Sequence, residues 1–298
     1  MSDSGVVTLA TLNGLDRAAF VAVLGNIYEH APWAAEAAWS QRPLPTVSAV
    51  FAAMRDAVHA ASTDERMALA RAHPDLAGKA ARAGALTLES AQEQHGAGLD
   101  RLTDEEFATF HRLNDAYRTR FGHPFIICVR RHTKASILMQ FERRLANPTA
   151  AELAAAMAEI DRIAALRLAA RLTGPGPLKV TGRLTTHVLD VERGLPAGGV
   201  EIELREVNGA EYGRTIWRGA TNADGRTDTP LIEGRPIPMG RYELAFVVGR
   251  YFASHDSPVA DPPFLDRVPV RFAIAEPEGH YHVPLLVTPW SYTTYRGS

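Results

Sequence analysis

A chain of 298 residues is long enough for two domains, each able to bury a core without disulfides or a structural metal. The net charge of −2 lacks the basic excess of a nucleic-acid binder, and 46% hydrophobic with 22% charged residues is globular composition. Cys128 is the single cysteine, which excludes an intramolecular disulfide and a thiolate zinc site. No apolar run approaches the roughly 18 residues a membrane span needs, and the first residues show no basic region followed by an apolar run. A cytoplasmic protein with no membrane partner is expected.

The first half reads as helices. Phe20, Val23, Leu24, Ile27 and Tyr28 recur at helical spacing between Asp16 and His30, with Asn13 as the expected cap. Val47, Val50, Phe51, Met54 and Val58 repeat the pattern after Pro45. Ser62-x-x-Glu65, Thr103-x-x-Glu106 and Thr149-x-x-Glu152 each have the form of a capping box. Phe107, Phe110, Tyr117 and Phe121 form the apolar stripe of the helix after Thr103. Leu153, Met157, Ile160 and Ala164 form that of the last helix, from about 150 to 172.

Three features here exceed what packing requires. Pro74 disfavours helical geometry at His73, which places His73 at a helix end, where a side chain can face a cleft. Ser90, Glu93 and Gln94 stand at i, i+3 and i+4 and share one polar face if helical. Arg167 falls within an apolar stripe, where a cation must snorkel, pair or bind an anion. Each alone fits a helix end, a solvated face or an ordinary ion pair. Together they supply an acid/base group, a carboxylate, neutral hydrogen-bonders and an anion anchor, a set suited to a small polar anion.

Thr173-Gly-Pro-Gly-Pro-Leu-Lys179 can neither continue a helix nor join a sheet ladder. It separates an expected all-α helical bundle (1–172) from an expected all-β two-sheet sandwich (180–298), with 173–179 as a Gly/Pro linker.

Beyond it, residues 200–207 alternate strictly, as do Tyr242, Leu244, Phe246 and Val248, and then Val268, Val270, Phe272 and Ile274. Residues 180–190, 214–220 and 281–288 add further strands, Asn222-Ala-Asp-Gly225 is a turn, and a short helical turn is expected at 248–252. Seven or eight short strands make a two-sheet sandwich. His187 lies on the strand face opposite Val188, Arg226 follows the turn, and His280-Tyr-His282 puts two histidines on one face. A His-x-His pair with a distant His could hold zinc. No carboxylate or thiolate completes such a motif and Arg226 would repel the ion, so no metal is expected.

His73-Pro-Asp-Leu-Ala-Gly78, Leu86-Thr-x-x-Ser90-x-x-Glu93-Gln94, Phe121-Gly-His-Pro-Phe-Ile-Ile127 and Leu166-Arg-Leu168 together resemble the OHCU decarboxylase family, OHCU being 2-oxo-4-hydroxy-4-carboxy-5-ureidoimidazoline. The resemblance implies His73 and Glu93 as the catalytic pair. It implies Pro74, Ser90, Gln94, Ile126 and Arg167 as substrate-binding residues, with the 124–127 segment acting partly through backbone groups. Arg131 and His132 depart from the family pattern, which would have a Gly and a polar residue there.

Thr186-His-Val-Leu-Asp190, Thr221-Asn-Ala-Asp-Gly-Arg226, His280-Tyr-His-Val-Pro-Leu-Leu286 and the terminal Tyr295-Arg-Gly-Ser298 resemble 5-hydroxyisourate hydrolase, the enzyme branch of the transthyretin-like fold. That resemblance implies a hydrolase site of His187, Arg226, His282 and the tail with Ser298, closed by Tyr292 and Tyr295. Which histidine is the base stays open. It further implies a homotetramer through the C-terminal domain, sites at a dimer–dimer interface, and room for dimer contacts through the N-terminal domain.

The two resemblances imply consecutive steps, hydrolysis of 5-hydroxyisourate to OHCU and its decarboxylation to (S)-allantoin, with small-molecule substrates and no cofactor. The alternative is a transthyretin-like ligand-binding module fused to a helical oligomerisation domain. His187, Arg226, His282 and the Tyr-Arg-Gly-Ser tail speak against it, because a binding channel has no need of them.

Overall fold

The computed structural model of the chain describes residues 5–77, 93, 99, 102–208, 211–255 and 260–297. Two units emerge: Met1–Arg130 with Ile137–Val180, and Arg131–Ser136 with Thr181–Ser298.

The first unit is helical, as its apolar spacing requires. Its helices are α1 (Leu9–Gly14), α2 (Arg17–Leu24), α3 (Pro32–Trp39), α4 (Val47–Ala60), α5 (Thr63–Ala72), α6 (Asp104–Phe121), α7 (Lys134–Leu145) from residue 137 onward, and α8 (Thr149–Arg171). The Ser62–Glu65 and Thr103–Glu106 capping boxes form in full and start α5 and α6. α5 stops at His73, whose φ of −74° and ψ of 144° are the extended values a residue before proline adopts. α6 stops at Gly122, left-handed at φ 73°.

Two local expectations fail. Asp16 rather than Asn13 caps α2, while the Asn13 side chain bonds both backbone groups of Leu44. The third capping box is absent: Pro148 precedes α8, and Glu152 turns inward with no exposed surface.

Two apolar clusters fill this unit. One joins α1–α5 to the α8 stripe through Met54, Met157, Ile160 and Leu168. The other surrounds Phe110, Tyr117, Phe125 and Phe141. Each such side chain, fully buried, contributes on the order of 1.5–3 kcal/mol over its exposed state. Residues 124–128 run extended between the clusters, giving Ile126 to the first and Phe125 and Ile127 to the second. The Gly/Pro stretch begins inside this unit. β2 (Leu172–Thr173) pairs in parallel with β1 (Val7–Thr8), and the carbonyls of Pro175 and Gly176 accept the first amides of α4, from Val47 and Ser48.

The second unit is a two-sheet sandwich. One sheet has the order β11 (Tyr292–Thr294), β10 (His280–Val287), β3 (Gly182–Asp190), β4 (Leu195–Pro196), with β7 (Ile232–Arg235) also on β3. The other has the order β6 (Glu211–Ala220), β5 (Glu201–Asn208), β8 (Gly240–Val247), β9 (Arg267–Ile274), and α9 (Val248–Ala253) follows β8. β3 and β10 are parallel, and strict alternation on β3 buries Leu184, Thr186 and Val188 while leaving Thr185, His187 and Leu189 half-buried on the opposite face. Leu184, Val188, Leu204, Leu244, Phe246 and Leu285 form the centre of its core.

Candidate active sites

In the helical unit, His73, Pro74, Glu93, Ile126 and Arg167 line one pocket. The end of α5 supplies His73, the extended segment supplies Ile126, and α8 supplies Arg167. Ser90 and Gln94 lie outside the described residues. Among the described residues, three groups of potential metal ligands do not gather anywhere.

His73 is buried, and its Nδ1 donates to the Leu69 carbonyl at 2.9 Å. A carbonyl can only accept, so the proton sits on Nδ1 and the Nε2 lone pair is left for proton transfer. Burial holds the imidazole below its usual range; the bond to Leu69 and the nearby Glu29 charge partly offset this.

Glu93 makes no hydrogen bond to His73 among the described residues. It grips Arg167 in a two-pronged pair, Oε1 on Nε at 2.9 Å and Oε2 on Nη2 at 3.0 Å. Arg167, set in the apolar stripe, is thus stabilised by pairing. Its Nη2 also donates to Glu29 Oε2 at 3.1 Å. Glu29 is a pocket residue that the sequence does not single out. It directly follows the apolar Ile27–Tyr28 pair, but its partner is 138 residues away, beyond any local spacing.

The pocket segment is fixed from behind. Arg144 donates from Nη1 to the Ile126 carbonyl at 2.7 Å and lies 4.6 Å from the Phe125 ring centre. Glu159 accepts the Cys128 amide at 2.9 Å. The Ile126 carbonyl therefore faces Arg144.

In the sandwich, register gathers the expected residues. His282 stands opposite Thr185 on the parallel pair β3–β10, so His282 and His187 share the outer face. Arg226 pairs with His187 in an isolated antiparallel bridge, and Gly297 pairs likewise with His282. Both bridges use glycine. At Gly225, with φ of +69°, a Cβ would lie 2.3 Å from the Val188 carbonyl oxygen, and at Gly297 it would lie 2.9 Å from His282 Cδ2. The tail is thereby laid against the second histidine. Tyr292 and Tyr295 are exposed in the single chain, and Ser298 lies outside the described residues.

The Asp224 backbone offsets part of the burial effect on the His187 ring, whose buried Nε2 has no hydrogen-bond partner among the described residues. His282 Nδ1 lies 2.9 Å from the Thr185 hydroxyl, a second contact the sequence does not reveal beyond the shared face of Thr185 and His187. Burial first, and the Arg226 cation second, hold both imidazoles below their usual range. Both are neutral near pH 7, the form that can accept a proton.

Residues 13–169 match the OHCU decarboxylase family and residues 184–297 the HIUase/Transthyretin family. The chain is 41% identical over 167 residues to a 2-oxo-4-hydroxy-4-carboxy-5-ureidoimidazoline decarboxylase of Haloferax volcanii, spanning 56% of this chain and 97% of that one. It is 54% identical over 115 residues to a 5-hydroxyisourate hydrolase of Deinococcus radiodurans, spanning 39% of this chain and 95% of that one. The crystal structure of an (S)-allantoin synthase aligns over 98% of this chain and 100% of its own, with 36% identity and a TM-score of 0.53. The chain belongs to the OHCU decarboxylase family through its helical part and to the HIUase/Transthyretin family through its sandwich.

Proposed function

We infer that the chain is a bifunctional enzyme of urate catabolism: its sandwich hydrolyses 5-hydroxyisourate to OHCU, and its helical domain decarboxylates OHCU to (S)-allantoin. The observation that carries this reading is the near end-to-end match to an (S)-allantoin synthase.

In the hydrolase site, His187 is the base. Its Nε2 takes a proton from water as the oxygen attacks a ring carbonyl, and Arg226 stabilises the oxyanion. The ring C–N bond then breaks and the departing nitrogen takes the proton from the histidinium. The Nε2 without a partner among the described residues supports this choice over His282. His282, held through Thr185, lies on the same face beside the substrate. Tyr292, Tyr295 and Ser298 complete the site in an assembled homotetramer. The exposure of Trp290, Tyr292 and Tyr295, at 54%, 44% and 56%, supports assembly through this domain.

In the decarboxylase site, Arg167 holds the substrate carboxylate, with Ser90, Gln94, Pro74 and Ile126 enclosing the ring. The bond from C4 to the carboxylate breaks and carbon dioxide leaves. The electron pair moves toward the adjacent C=N, whose nitrogen takes a proton. The resulting enol becomes a carbonyl by losing its O–H proton as a proton reaches C5 from one face, giving one enantiomer. One proton is consumed overall, and His73 Nε2 is placed to relay it. The substrate's own unsaturation is the electron sink, so the chemistry requires no cofactor.

His73→Ala and His187→Ala test the assignment on freshly generated 5-hydroxyisourate, followed by ultraviolet absorbance and circular dichroism. His73→Ala should slow decarboxylation by about 10²–10⁴-fold and spare hydrolysis; His187→Ala should do the reverse. Near-wild-type growth of (S)-allantoin in His73→Ala would overturn the reading.

A further inference from the structure

Arg167 makes all its observed bonds through one edge. Nε and Nη2 are held by Glu93 at 2.9 and 3.0 Å, and Nη2 also by Glu29 at 3.1 Å. Nη1, with two N–H donors, makes no hydrogen bond among the described residues, although Arg167 lines the pocket. A guanidinium gripped along one edge presents the other in a fixed direction. Glu93 alone supplies a two-pronged grip, so Glu29 is surplus to simple pairing. It is 7% exposed, which is costly for a carboxylate without a function for its charge. Its other oxygen lies 3.8 Å from His30 Nε2.

We propose that Glu29 is a positioning residue of the decarboxylase site: with Glu93 it fixes the Nε–Nη2 edge of Arg167, presents Nη1 to the substrate carboxylate, and by its charge draws a proton onto His73 when that anion binds. The proposal rests on the decarboxylase reading. Two carboxylates face one guanidinium in the pocket, so the three groups already carry one excess negative charge. The substrate adds another. Imidazolium is the form of His73 that relieves this, and the reaction consumes one proton as the carboxylate leaves as carbon dioxide. The charged and titratable groups facing His73 are Glu29, Arg167 and His30, whose ring lies edge-on at 6.5 Å. Glu29 favours the protonated imidazole, Arg167 and His30 oppose it, and Glu93, on the same pocket, is bound to Arg167.

The test compares Glu29→Gln and Glu29→Asp in the full chain, with hydrolysis by the same chain and far-ultraviolet circular dichroism reporting on folding. Glu29→Gln keeps the shape and removes the charge. Its kcat for decarboxylation should fall at least about tenfold. KM should not rise, because a negative charge beside the anionic substrate is gone. The limb of the pH profile governed by His73 should move to lower pH. Glu29→Asp keeps the charge on a shorter arm, so the limb should stay at the wild-type pH while kcat falls.

A rise in KM with kcat and limb unchanged in Glu29→Gln would overturn the proposal. Should Glu29→Gln lose its helical signal, an unchanged kcat in Glu29→Asp would overturn the positioning role. A wild-type chain that does not accelerate decarboxylation would instead overturn the functional reading beneath it.

Discussion

At the scale of single residues, the hydrolase site is governed by one cation set among imidazoles. Arg226 depresses the basicity of His187 and His282 beyond the effect of burial. Hydrolysis requires a neutral base, so its rate is lost as pH falls through the depressed imidazole range. Removing the cation raises that range. Arg226→Gln should therefore move the acid limb of the kcat/KM profile to higher pH, in addition to slowing the reaction through loss of oxyanion stabilisation by about 10²–10³-fold. Arg226→Lys should slow the reaction and leave the limb near the wild-type position. Identical limbs in wild type and Arg226→Gln would show that neither histidine titrates as the base. The contrast with Arg167 is instructive. Both arginines are expected to hold anions, yet Arg226 makes no ion pair among the described residues, whereas Arg167 is held by two carboxylates. Neither partner, Glu93 or Glu29, follows from the sequence, because long-range pairing leaves no trace in spacing.

At the scale of elements, the pocket wall depends on a buried network between α6, α7 and α8. Arg144 and Glu152 are 3% and 0% exposed. Glu152 accepts from Arg144 Nε at 2.7 Å, from Asn147 Nδ2 at 2.7 Å and from the Tyr117 hydroxyl, whose ionisation burial pushes far up. The same Arg144 holds the carbonyl of Ile126, a residue that lines the pocket. Removing the carboxylate leaves a buried guanidinium without its counter-charge. Glu152→Ala should destabilise the helical unit by about 3–5 kcal/mol, read as an earlier urea midpoint at 222 nm, while hydrolase activity persists through that first transition. A loss below about 1 kcal/mol would mean that water or a shifted side chain satisfies Arg144. This network also marks where legibility ended. Two Ser/Thr-x-x-Glu patterns became capping boxes because α5 and α6 begin one residue after them in solvent. The third has the same letters, but α8 starts beside Arg144, and a buried cation outcompetes a cap for the carboxylate. Strand positions were more legible than helix starts. Two-residue alternation fixed the face of His187 and His282, and the parallel register then brought them together.

At the scale of the whole molecule, the chain passes from helices to strands around the composition change at Thr173–Lys179, and each candidate site takes its described residues from one unit. His73, Glu29, Glu93 and Arg167 belong to the first; His187, Arg226 and His282 belong to the second. The stretch itself is less of a spacer than its Gly and Pro content implies, since Thr173 pairs with Thr8 and the Pro175 and Gly176 carbonyls bond the first amides of α4. Sites drawn from separate units need not lie on one polypeptide to act in sequence. An equimolar mixture of His73→Ala and His187→Ala chains should therefore restore conversion of 5-hydroxyisourate to (S)-allantoin, although neither variant completes it alone. At high enzyme concentration, OHCU released by one chain reaches a competent site on another before it decays, and the circular dichroism amplitude should approach that of wild type. On dilution the spontaneous route, which gives both enantiomers, gains on encounter, and the amplitude of the mixture should fall sooner than that of wild type if linkage on one chain shortens the transfer. Equal amplitudes at every dilution would assign no kinetic advantage to the fusion. A mixture that never builds an enantiomeric excess would show that one site is incomplete without its neighbour on the same chain.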